Sequence, residues 1–458
     1  MKQALLGVAG GLFAGLAALG ILFTGPLSLS SEEPMPQETV AATVKAQPSP
    51  TESPLEAEPV EVVEEPIQCS VSEFEDSNDI LVLQAEVLDA ETGEVLFERG
   101  SQTPARAASV MKLFTAAAAL ETLGPDYRVT TRVYVDAVDP SVLYLVGAGD
   151  VTLSRTGVNQ RSVYEDAPKL LEIVRQINRA LPDQSVSRIV LDSTAYGLPL
   201  GEYQDVWDQR GLTNGYMSYV SALQVDGDRD NASFKDSPRS KDPVLRAGTW
   251  FQEALGESAL DAELEIGIAP ADAIEVAKVQ SAPMSTWIDY MMIVSDNTLS
   301  EAMARLVSLD VGLDGSFASL TEAYNRALRG TGLELAGLKV EDGSGLSRYN
   351  QVSPAQVNDL LELIHQGYGD FELIEEAMPV SGTPGSLSSR LLDAVGAVIA
   401  KTGWIRTGYS LAGFLQTPDD ARLIFTVYNL GDVTAANRQA MDDLVLGFYN
   451  CGKNLVNR

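Results

Sequence analysis

Runs of apolar residues along the chain predict a region of strands and helices that begins near residue 80. The apolar stretch 80–88 is followed by a glycine-containing turn and a second run at 94–97, a pattern typical of a strand hairpin. Helical spacing begins near Ser109, and the apolar run 113–123 ends at Gly124, a residue type that commonly terminates helices. The folded part of the chain is therefore expected to open with a hairpin and a helix.

The middle of the chain combines further strand and helix patterns before a turn-rich stretch at 197–240. The predicted elements are strands at 129–136, 142–146 and 187–192 and a helix at 167–181. This segment is too long for a simple loop. We therefore interpret 126–242 as an α+β domain inserted between two parts of a second domain, 76–125 and 243–458.

The last part of the chain predicts helices and an antiparallel sheet. The predicted helices are 244–255, 284–294 and 299–309. The apolar run 395–400 leads into Lys401 as a buried strand would, and the segments 411–417 and 423–428 follow as further strands before a last helix. Three consecutive strands followed by a helix favour the α+β class, in which helices pack on an antiparallel sheet.

The N-terminus carries a predicted export segment and a tether. Residues 3–31 contain no charged side chain, and the apolar stretch 4–24 is long enough to span a bilayer behind the positive Lys2. We expect residues 1–30 to be a retained signal anchor or a cleaved signal peptide, and either would place the rest of the chain outside the cytoplasm. Residues 31–75 are acidic and rich in proline, which predicts a flexible tether.

Charge and residue counts exclude several function classes. The 458-residue chain has a formal net charge of −32 and no basic run, which argues against nucleic-acid binding. An anionic substrate would have to be met by local cations. The single histidine, His365, excludes a multi-histidine zinc site, and its apolar helical surroundings indicate a structural role. No cofactor or metal is expected.

Two cysteines, Cys69 and Cys451, stand near the two ends of the predicted folded region. In an oxidising compartment, an even count favours a disulfide that would link the entry of the domain to its last helix. The alternative is a pair of unrelated buried thiols.

Three short motifs carry candidate acyl-transfer chemistry. They are Ser109-Val110-Met111-Lys112, Ser295-Asp296-Asn297 and Lys401-Thr402-Gly403. Ser109 stands at the start of a predicted helix, and Lys112 lies one turn further on the same face, where its amine reaches the hydroxyl. A lysine acts as a base only when its pKa is lowered, and burial together with Lys401 would lower it.

The second and third motifs supply the other expected contacts. Ser295 would relay a proton to the leaving group, with a helix N-cap as its structural alternative, and Asn297 would hold a substrate amide and orient Lys112. Lys401 and Thr402 would bind a terminal carboxylate. The small Gly403 would let a substrate backbone pair with the strand edge. The N–H groups of Ser109 and Trp404 would form an oxyanion hole.

The order of these motifs resembles that of the penicillin-recognising serine acyltransferases. Further strings extend the resemblance from about residue 80 to 449: Asp342-Gly343-Ser344-Gly345-Leu346-Ser347-Arg348, 378–387 and 409–414, with 147–153 and 221–226 in the insertion. Together they resemble the D-alanyl-D-alanine carboxypeptidase/endopeptidase family of class C low-molecular-mass penicillin-binding proteins, peptidase family S13.

This resemblance implies a fold, an activity and a substrate. The expected fold is an α+β transpeptidase domain like that of penicillin-binding proteins and serine β-lactamases, an antiparallel sheet flanked by helices, with an inserted α+β domain. The expected activity is serine-type cleavage of peptidoglycan stem peptides, with acylation by β-lactam antibiotics. Arg348 and Tyr216 match residues near the pocket for the diamino acid side chain. Asp208 is the nearest match for an acidic partner, but it lies farther from Tyr216 than the family pattern expects. The insertion is shorter than in larger members, so a further subdomain is expected to be absent.

Two other functions remain open on the sequence. A serine β-lactamase shares all three motifs, but class A enzymes deacylate with a glutamate in an E-x-x-L-N segment, and none occurs in this chain. A non-catalytic sensor on the same fold would not require Ser109, Lys112, Ser295 and Lys401 together.

Overall fold

The computed structural model describes residues 68–197 and 200–456. The helices are α1 (Ser72–Glu75), α2 (Met111–Thr122), α3 (Leu170–Ala180), α4 (Arg210–Asn214), α5 (Pro243–Leu255), α6 (Met284–Val294), α7 (Asn297–Asp310), α8 (Leu320–Ala327), α9 (Pro354–His365), α10 (Glu372–Glu376) and α11 (Ala435–Cys451). The strands are β1 (Leu83–Asp89), β2 (Val95–Arg99), β3 (Thr130–Val135), β4 (Val142–Val146), β5 (Arg188–Asp192), β6 (Glu263–Ile266), β7 (Ile274–Gln280), β8 (Val398–Ile405), β9 (Gly408–Gln416) and β10 (Arg422–Leu430).

The first sheet has the strand order β2-β1-β10-β9-β8 and is antiparallel throughout. Side chains that alternate along β9 and β10 enter two different cores, since helices cover both faces of the sheet. Leu411 and Leu415 pack toward α11, whereas Ala412 and Phe414 pack toward the helical layer that contains α2 and α9. This double cover explains why these strands read as nearly continuous apolar runs.

The central helix of that layer is α2, which contacts α6, α7, α8 and α9. Ten consecutive residues from its first position are buried, because the helix is rich in alanine and is surrounded by other elements. A short 3-10 turn, Ala108–Val110, precedes it. The α+β fold with helices packed on an antiparallel sheet is confirmed.

The second sheet has the order β6-β5-β4-β3-β7 and mixes parallel and antiparallel pairs. It ends at Gln280, well beyond the predicted domain boundary at 242, and α5 packs on it through the buried Phe251. Strands β6 and β7 were not predicted, because they lie at the two sheet edges, where charged residues interrupt the apolar pattern. We therefore place the inserted unit at about 126–281.

A disulfide joins Cys69 to Cys451, with 5.3 Å between their Cα atoms, so the predicted bridge is confirmed. It ties the start of the described chain to the end of α11. The neighbouring Val71 is buried against the same helix, where Gly447 leaves room for it. The expected tether therefore ends earlier than residue 75, because the segment from Cys69 onward is held by the bridge and by apolar packing.

The predicted export segment, residues 1–30, and most of the tether lie outside the described residues. Within 68–197 and 200–456, no helix is both long enough and apolar enough to cross a bilayer.

Candidate active site

Ser109 lies in the tight 3-10 turn that leads into α2, and its backbone is unusually crowded. The preceding Ala108 has a φ of 45°, a left-handed conformation that costs a non-glycine residue energy. A Cβ atom on Gly403 would lie 2.9 Å from the Ser109 N atom, and one on Gly345 would lie 1.9 Å from the Ala108 carbonyl oxygen. Both glycines are therefore required for the close approach of β8 and the 342–348 loop to the serine.

Lys112 is fully buried, and its amine lies among three acceptors. The Nζ atom is 3.1 Å from Ser109 Oγ, 2.8 Å from Asn297 Oδ1 and 2.6 Å from the Ser344 carbonyl oxygen. A protonated amine donates one hydrogen to each of these atoms. A neutral amine donates to Asn297 and Ser344 and is left with a lone pair that faces the serine hydroxyl, which is the arrangement that a general base needs.

The two buried lysines of the candidate site, Lys112 and Lys401, have lowered pKa values. Burial lowers the pKa of Lys112 to about 8, although nearby carboxylates oppose the shift. Burial, and then the positive charge of Lys112, holds the pKa of Lys401 well below its usual range. Burial is thus the main cause at Lys112, and the cation that also lowers its pKa is Lys235 rather than the expected Lys401.

The Ser295-Asp296-Asn297 motif forms the turn between α6 and α7. Ser295 ends α6 in a left-handed conformation with a φ of 59°. The N-cap of α7 is Asp296, whose side chain accepts a hydrogen bond from Leu299 N, so the alternative role of Ser295 as the cap is wrong. Asn297 spans the site, since its Nδ2 atom donates to the Tyr216 carbonyl oxygen at 2.9 Å while its Oδ1 atom accepts from Lys112.

Lys401, Thr402 and Gly403 lie in β8, the edge strand beside Ser109. Lys401 Nζ is 2.9 Å from Ser295 Oγ, which joins the second and third motifs. Ala400 N donates to a carbonyl of the 379–381 segment, outside the sheet. Because alternate residues of a strand bond to the same side, the N–H groups of Thr402 and Trp404 face that same outer edge, beside the cleft.

The loop 342–348 contributes groups that sequence reasoning missed. The buried Asp342 carboxylate accepts hydrogen bonds from Gly345 N, Ser347 N and the Trp207 indole, and these contacts fold the loop. Ser344 then presents its carbonyl to Lys112, while its N–H donates to Glu301 at 2.8 Å. A backbone carbonyl has no residue-specific signature, so only the resemblance carried by the string from Asp342 to Gly345 marked this loop.

The cleft in front of Ser109 has a volume of about 1100 Å³. Its lining includes Ser295, Asn297, Thr402, Gly403 and Trp404, so the structure brings the predicted site residues together. Arg348, Tyr216 and Asp208 line the same cleft. The guanidinium of Arg348 is exposed and donates to the Tyr349 hydroxyl at 2.9 Å, whereas Asp208 is paired with Arg210 at 2.5 Å.

The charge of the cleft differs in sign from that of the chain as a whole. Two aspartates, Asp208 and Asp236, line it, against six cationic side chains: Arg210, Lys235, Arg348, Arg390, Arg406 and Arg438. His365 lies at the end of α9 with its ring 6.1 Å from that of Phe414 and is not part of the lining, in keeping with the predicted structural role.

Comparisons with known proteins agree with this geometry. The family model described as "D-Ala-D-Ala carboxypeptidase 3 (S13) family" matches residues 81–237 and 224–448. Carboxypeptidase DacB of Mycolicibacterium smegmatis is 31% identical over 383 residues, which cover 82% of each chain. The D-alanyl-D-alanine carboxypeptidase of an Actinomadura species is 29% identical over 418 residues, which cover 75% of this chain and 77% of that one.

Among solved structures, penicillin-binding protein 4 of Haemophilus influenzae aligns with a TM-score of 0.70 at 20% identity, over 83% of this chain and 99% of that one. The same protein in complex with a β-lactam aligns with a TM-score of 0.64, at the same identity and coverage. This likeness shows the shared fold. With the family match over most of the folded chain, it leads to one conclusion: the chain belongs to the D-Ala-D-Ala carboxypeptidase 3 (S13) family.

Proposed function

We propose that the protein is a serine-type D-Ala-D-Ala carboxypeptidase/endopeptidase that cleaves peptidoglycan stem peptides through an acyl-serine intermediate and is acylated by β-lactams. The observation that carries the proposal is the buried amine of Lys112, 3.1 Å from the Oγ atom of Ser109, which lines a cleft together with residues of the other two motifs. The names of the relatives support the same activity.

Acylation begins with proton transfer from the Ser109 hydroxyl to the neutral amine of Lys112. The Ser109 oxygen attacks the carbonyl carbon of the penultimate D-alanine, and the negative charge that develops on the carbonyl oxygen is met by the N–H groups of Ser109 and Trp404. Breaking the C–N bond releases the terminal D-alanine, whose nitrogen takes up the proton from Lys112 through the Ser295 hydroxyl. Water then attacks the ester, and the proton that it loses returns to Ser109.

The contacts of Lys401 suit it to assist this proton relay. Its amine touches Ser295 Oγ, and its lowered pKa makes the loss of its own proton easier than for an exposed lysine. Thr402 Oγ1 lies beside the Ser386 hydroxyl at 2.9 Å. Both hydroxyls line the cleft and would hold the carboxylate of the terminal D-alanine, together with Lys401.

The positive cleft in an acidic protein supports an anionic substrate. Four of the six cations are paired with aspartates, and Arg348 and Arg438 add further positive charge, so the cleft would attract a carboxylate-bearing peptide that the net charge of −32 repels. Within this cleft we assign Arg348 and Tyr216 to the third residue of the stem peptide. The guanidinium of Arg348 would pair with the carboxylate of a diaminopimelate-type side chain, and Tyr216 would pack against its methylenes. Asp208 is the candidate for its amine, although Arg210 already occupies that carboxylate.

The alternative for Arg348 is a purely structural role in bracing its own loop, but its hydrogen bond goes to the Tyr349 side chain rather than to a loop carbonyl. Comparing diaminopimelate and lysine peptides tests the assignment. We expect the wild type to prefer the free diaminopimelate end. Arg348→Ala should lower kcat/KM for that peptide and leave penicillin acylation little changed. Equal kcat/KM values for both peptides, unaffected by the substitution, would leave only the structural role.

The proposed location is the cell envelope, outside the cytoplasm. The Cys69–Cys451 disulfide supports an oxidising compartment, and the apolar residues 4–24 support export. Whether the protein is anchored to the membrane or secreted depends on cleavage of that segment. The intact mass of protein isolated from its native membrane fraction or medium distinguishes the two.

Labelling with a fluorescent penicillin followed by mass spectrometry tests the function. We expect a stable adduct on Ser109 and hydrolysis of a pentapeptide that ends in D-Ala-D-Ala. Ser109→Ala should abolish both. Rapid turnover of the penicillin would indicate a β-lactamase instead, and the absence of any adduct would indicate a non-catalytic sensor.

A further inference from the structure

We propose that Arg229, a buried residue of the inserted unit, is a positioning residue that holds the Ser295–Asn297 turn in its reactive geometry. The inference rests on the proposed acyl-serine chemistry. It assigns a part of that chemistry to a segment that contains none of the three motifs.

The guanidinium of Arg229 is completely buried, and its hydrogen bonds reach three different parts of the chain. Its Nη2 atom is 2.5 Å from Asp296 Oδ2. Its Nη1 atom donates to the Tyr164 hydroxyl at 2.7 Å, and its Nε atom donates to the Lys235 carbonyl oxygen at 3.1 Å. A planar fork of this kind fixes orientation as well as distance.

Asp296 is the residue through which this contact reaches the chemistry. Its Oδ1 atom caps α7 by accepting a hydrogen bond from Leu299 N, and this cap is the whole role of that oxygen. The Oδ2 atom is used for Arg229, a residue 67 positions earlier in the chain. Burial disfavours the ionised form of Asp296, but Arg229 and then Arg239 overcome this effect and lower its pKa. The carboxylate between the two catalytic candidates is therefore charged and tied to the inserted unit.

The backbone of this turn needs such a restraint. Ser295 holds a left-handed conformation that a serine rarely adopts, and its hydroxyl must stay 2.9 Å from Lys401 Nζ. On the other side of Asp296, the Asn297 amide must stay 2.8 Å from Lys112 Nζ. A small rotation at Asp296 would move both neighbours, and reactions of this type lose rate steeply when reacting groups are misplaced by even about 1 Å.

The same guanidinium also anchors the loop of Lys235. That lysine lines the cleft, and its charge acts on the pKa values of both Lys112 and Lys401. Arg229 thus sets the position of the inserted loop relative to the serine and the two buried lysines. This arrangement explains why a fully buried arginine stands at the boundary between the inserted unit and the part of the chain that carries the three motifs.

One single variant, Arg229→Met, and one double variant, Arg229→Met with Asp296→Asn, separate positioning from stability. Arg229→Met alone leaves Asp296 as an unpaired buried charge, so it should destabilise the protein. Adding Asp296→Asn removes that charge while its side-chain oxygen can still cap α7. We therefore expect the double variant to regain most of the thermal midpoint. Its limiting rate of acylation by penicillin should stay at least about tenfold below that of the wild type, with a much smaller change in the half-saturating concentration.

Arg246→Met is the matched control, because Arg246 pairs with the buried Asp228 in the same unit but touches none of the three motifs. It should lower the thermal midpoint and leave the limiting rate of the folded protein unchanged. A double variant that is stable and acylates within twofold of the wild type would overturn the proposal. If the thermal midpoint of the double variant does not recover, the Tyr164→Phe variant, which removes one hydrogen-bond partner of Arg229, provides the test instead. A stable Tyr164→Phe protein with at least threefold slower acylation supports positioning, and one with the wild-type rate overturns it.

The wild type in the same assay separates this inference from the proposed function. Absence of an adduct on Ser109 in the wild type would refute the acyl-serine function itself. A labelled wild type together with unimpaired variants would refute only the role of Arg229.

Discussion

The pH dependence of acylation provides a quantitative test of Lys112 as the general base. Only the neutral amine accepts the Ser109 proton, so the rate should follow the neutral fraction of Lys112. This fraction rises as the pH rises through the pKa of the group. The acylation rate should therefore be low in acid, reach half of its maximum near pH 8 and level off about one pH unit above that.

The size of the effect follows from the lowered pKa. With a pKa of about 8, roughly 9% of Lys112 is neutral at pH 7, compared with about 0.03% for an ordinary lysine at 10.5. Burial therefore supplies on the order of 300 times more active base near neutral pH. Between pH 6 and pH 8, the neutral fraction rises about 50-fold, and the acylation rate should rise by a similar factor.

The assay is the second-order rate of labelling by a fluorescent penicillin between pH 5.5 and 10. The thermal midpoint must be recorded at each pH, so that loss of folded protein is not read as loss of base. A rate that stays flat from pH 6 to 9 would refute the assignment of Lys112. A rising limb centred near pH 10 would show that burial does not lower its pKa.

A substitution at Glu301 should shift the pH dependence of the acylation rate to lower pH. Burial raises the pKa of Glu301 to about 7, so it is mostly ionised at pH 8, where its charge opposes the lowered pKa of Lys112. Glu301→Gln keeps an acceptor for Ser344 N and removes the charge. The acylation midpoint should therefore shift to lower pH. Glu322→Gln is the matched control, since Glu322 forms an exposed pair with Arg326, and it should leave the midpoint unchanged.

Three further predictions follow from the site and the disulfide. Lys112→Met should reduce acylation more completely than Lys401→Met, because the first removes the base and the second removes a relay and carboxylate contact; near wild-type acylation in Lys112→Met, measured by penicillin labelling, would place the base elsewhere. Replacing Cys69 and Cys451 with serine should lower the free energy of unfolding by roughly 2–4 kcal/mol in denaturant titrations, and an unchanged midpoint would show that the bridge adds no stability. Gly403→Ala should abolish labelling, because the added Cβ would lie 2.1 Å from Ser410 Oγ and 2.9 Å from Ser109 N; a labelled variant would show that the strand can shift without loss of the site.

Local sequence patterns predicted much of the fold. The α6 helix was predicted with its observed bounds, and the three C-terminal strands and the first hairpin differ from prediction by a few residues. The last helix was predicted by its place in the order of elements. These elements are covered on at least one face, so their apolar spacing reports their burial directly. Strands β6 and β7 were missed because edge strands are half exposed and carry charged side chains.

The three motifs likewise predicted which side chains would meet. The i, i+3 spacing of Ser109, in the 3-10 turn, and Lys112, in the first turn of α2, places their functional groups within reach without any knowledge of the rest of the chain. The Cys69–Cys451 bridge followed from the cysteine count and the predicted export. These inferences succeed because helix geometry and covalent chemistry depend on residue identity and spacing alone.

The remaining features depend on contacts between residues far apart in the chain. Burial lowers the pKa of Lys112, and that burial is created by α7 and the 342–348 loop, which lie well over a hundred residues away. The Ser344 carbonyl that receives Lys112 is a backbone atom, and the Arg229–Asp296 ion pair joins segments that no local pattern connects. The sequence alone therefore determined which reactive groups are present and which helices and strands carry them. Desolvation, backbone acceptors and buried ion pairs arise only when those elements pack, so the tertiary structure decided the reactivity of the groups.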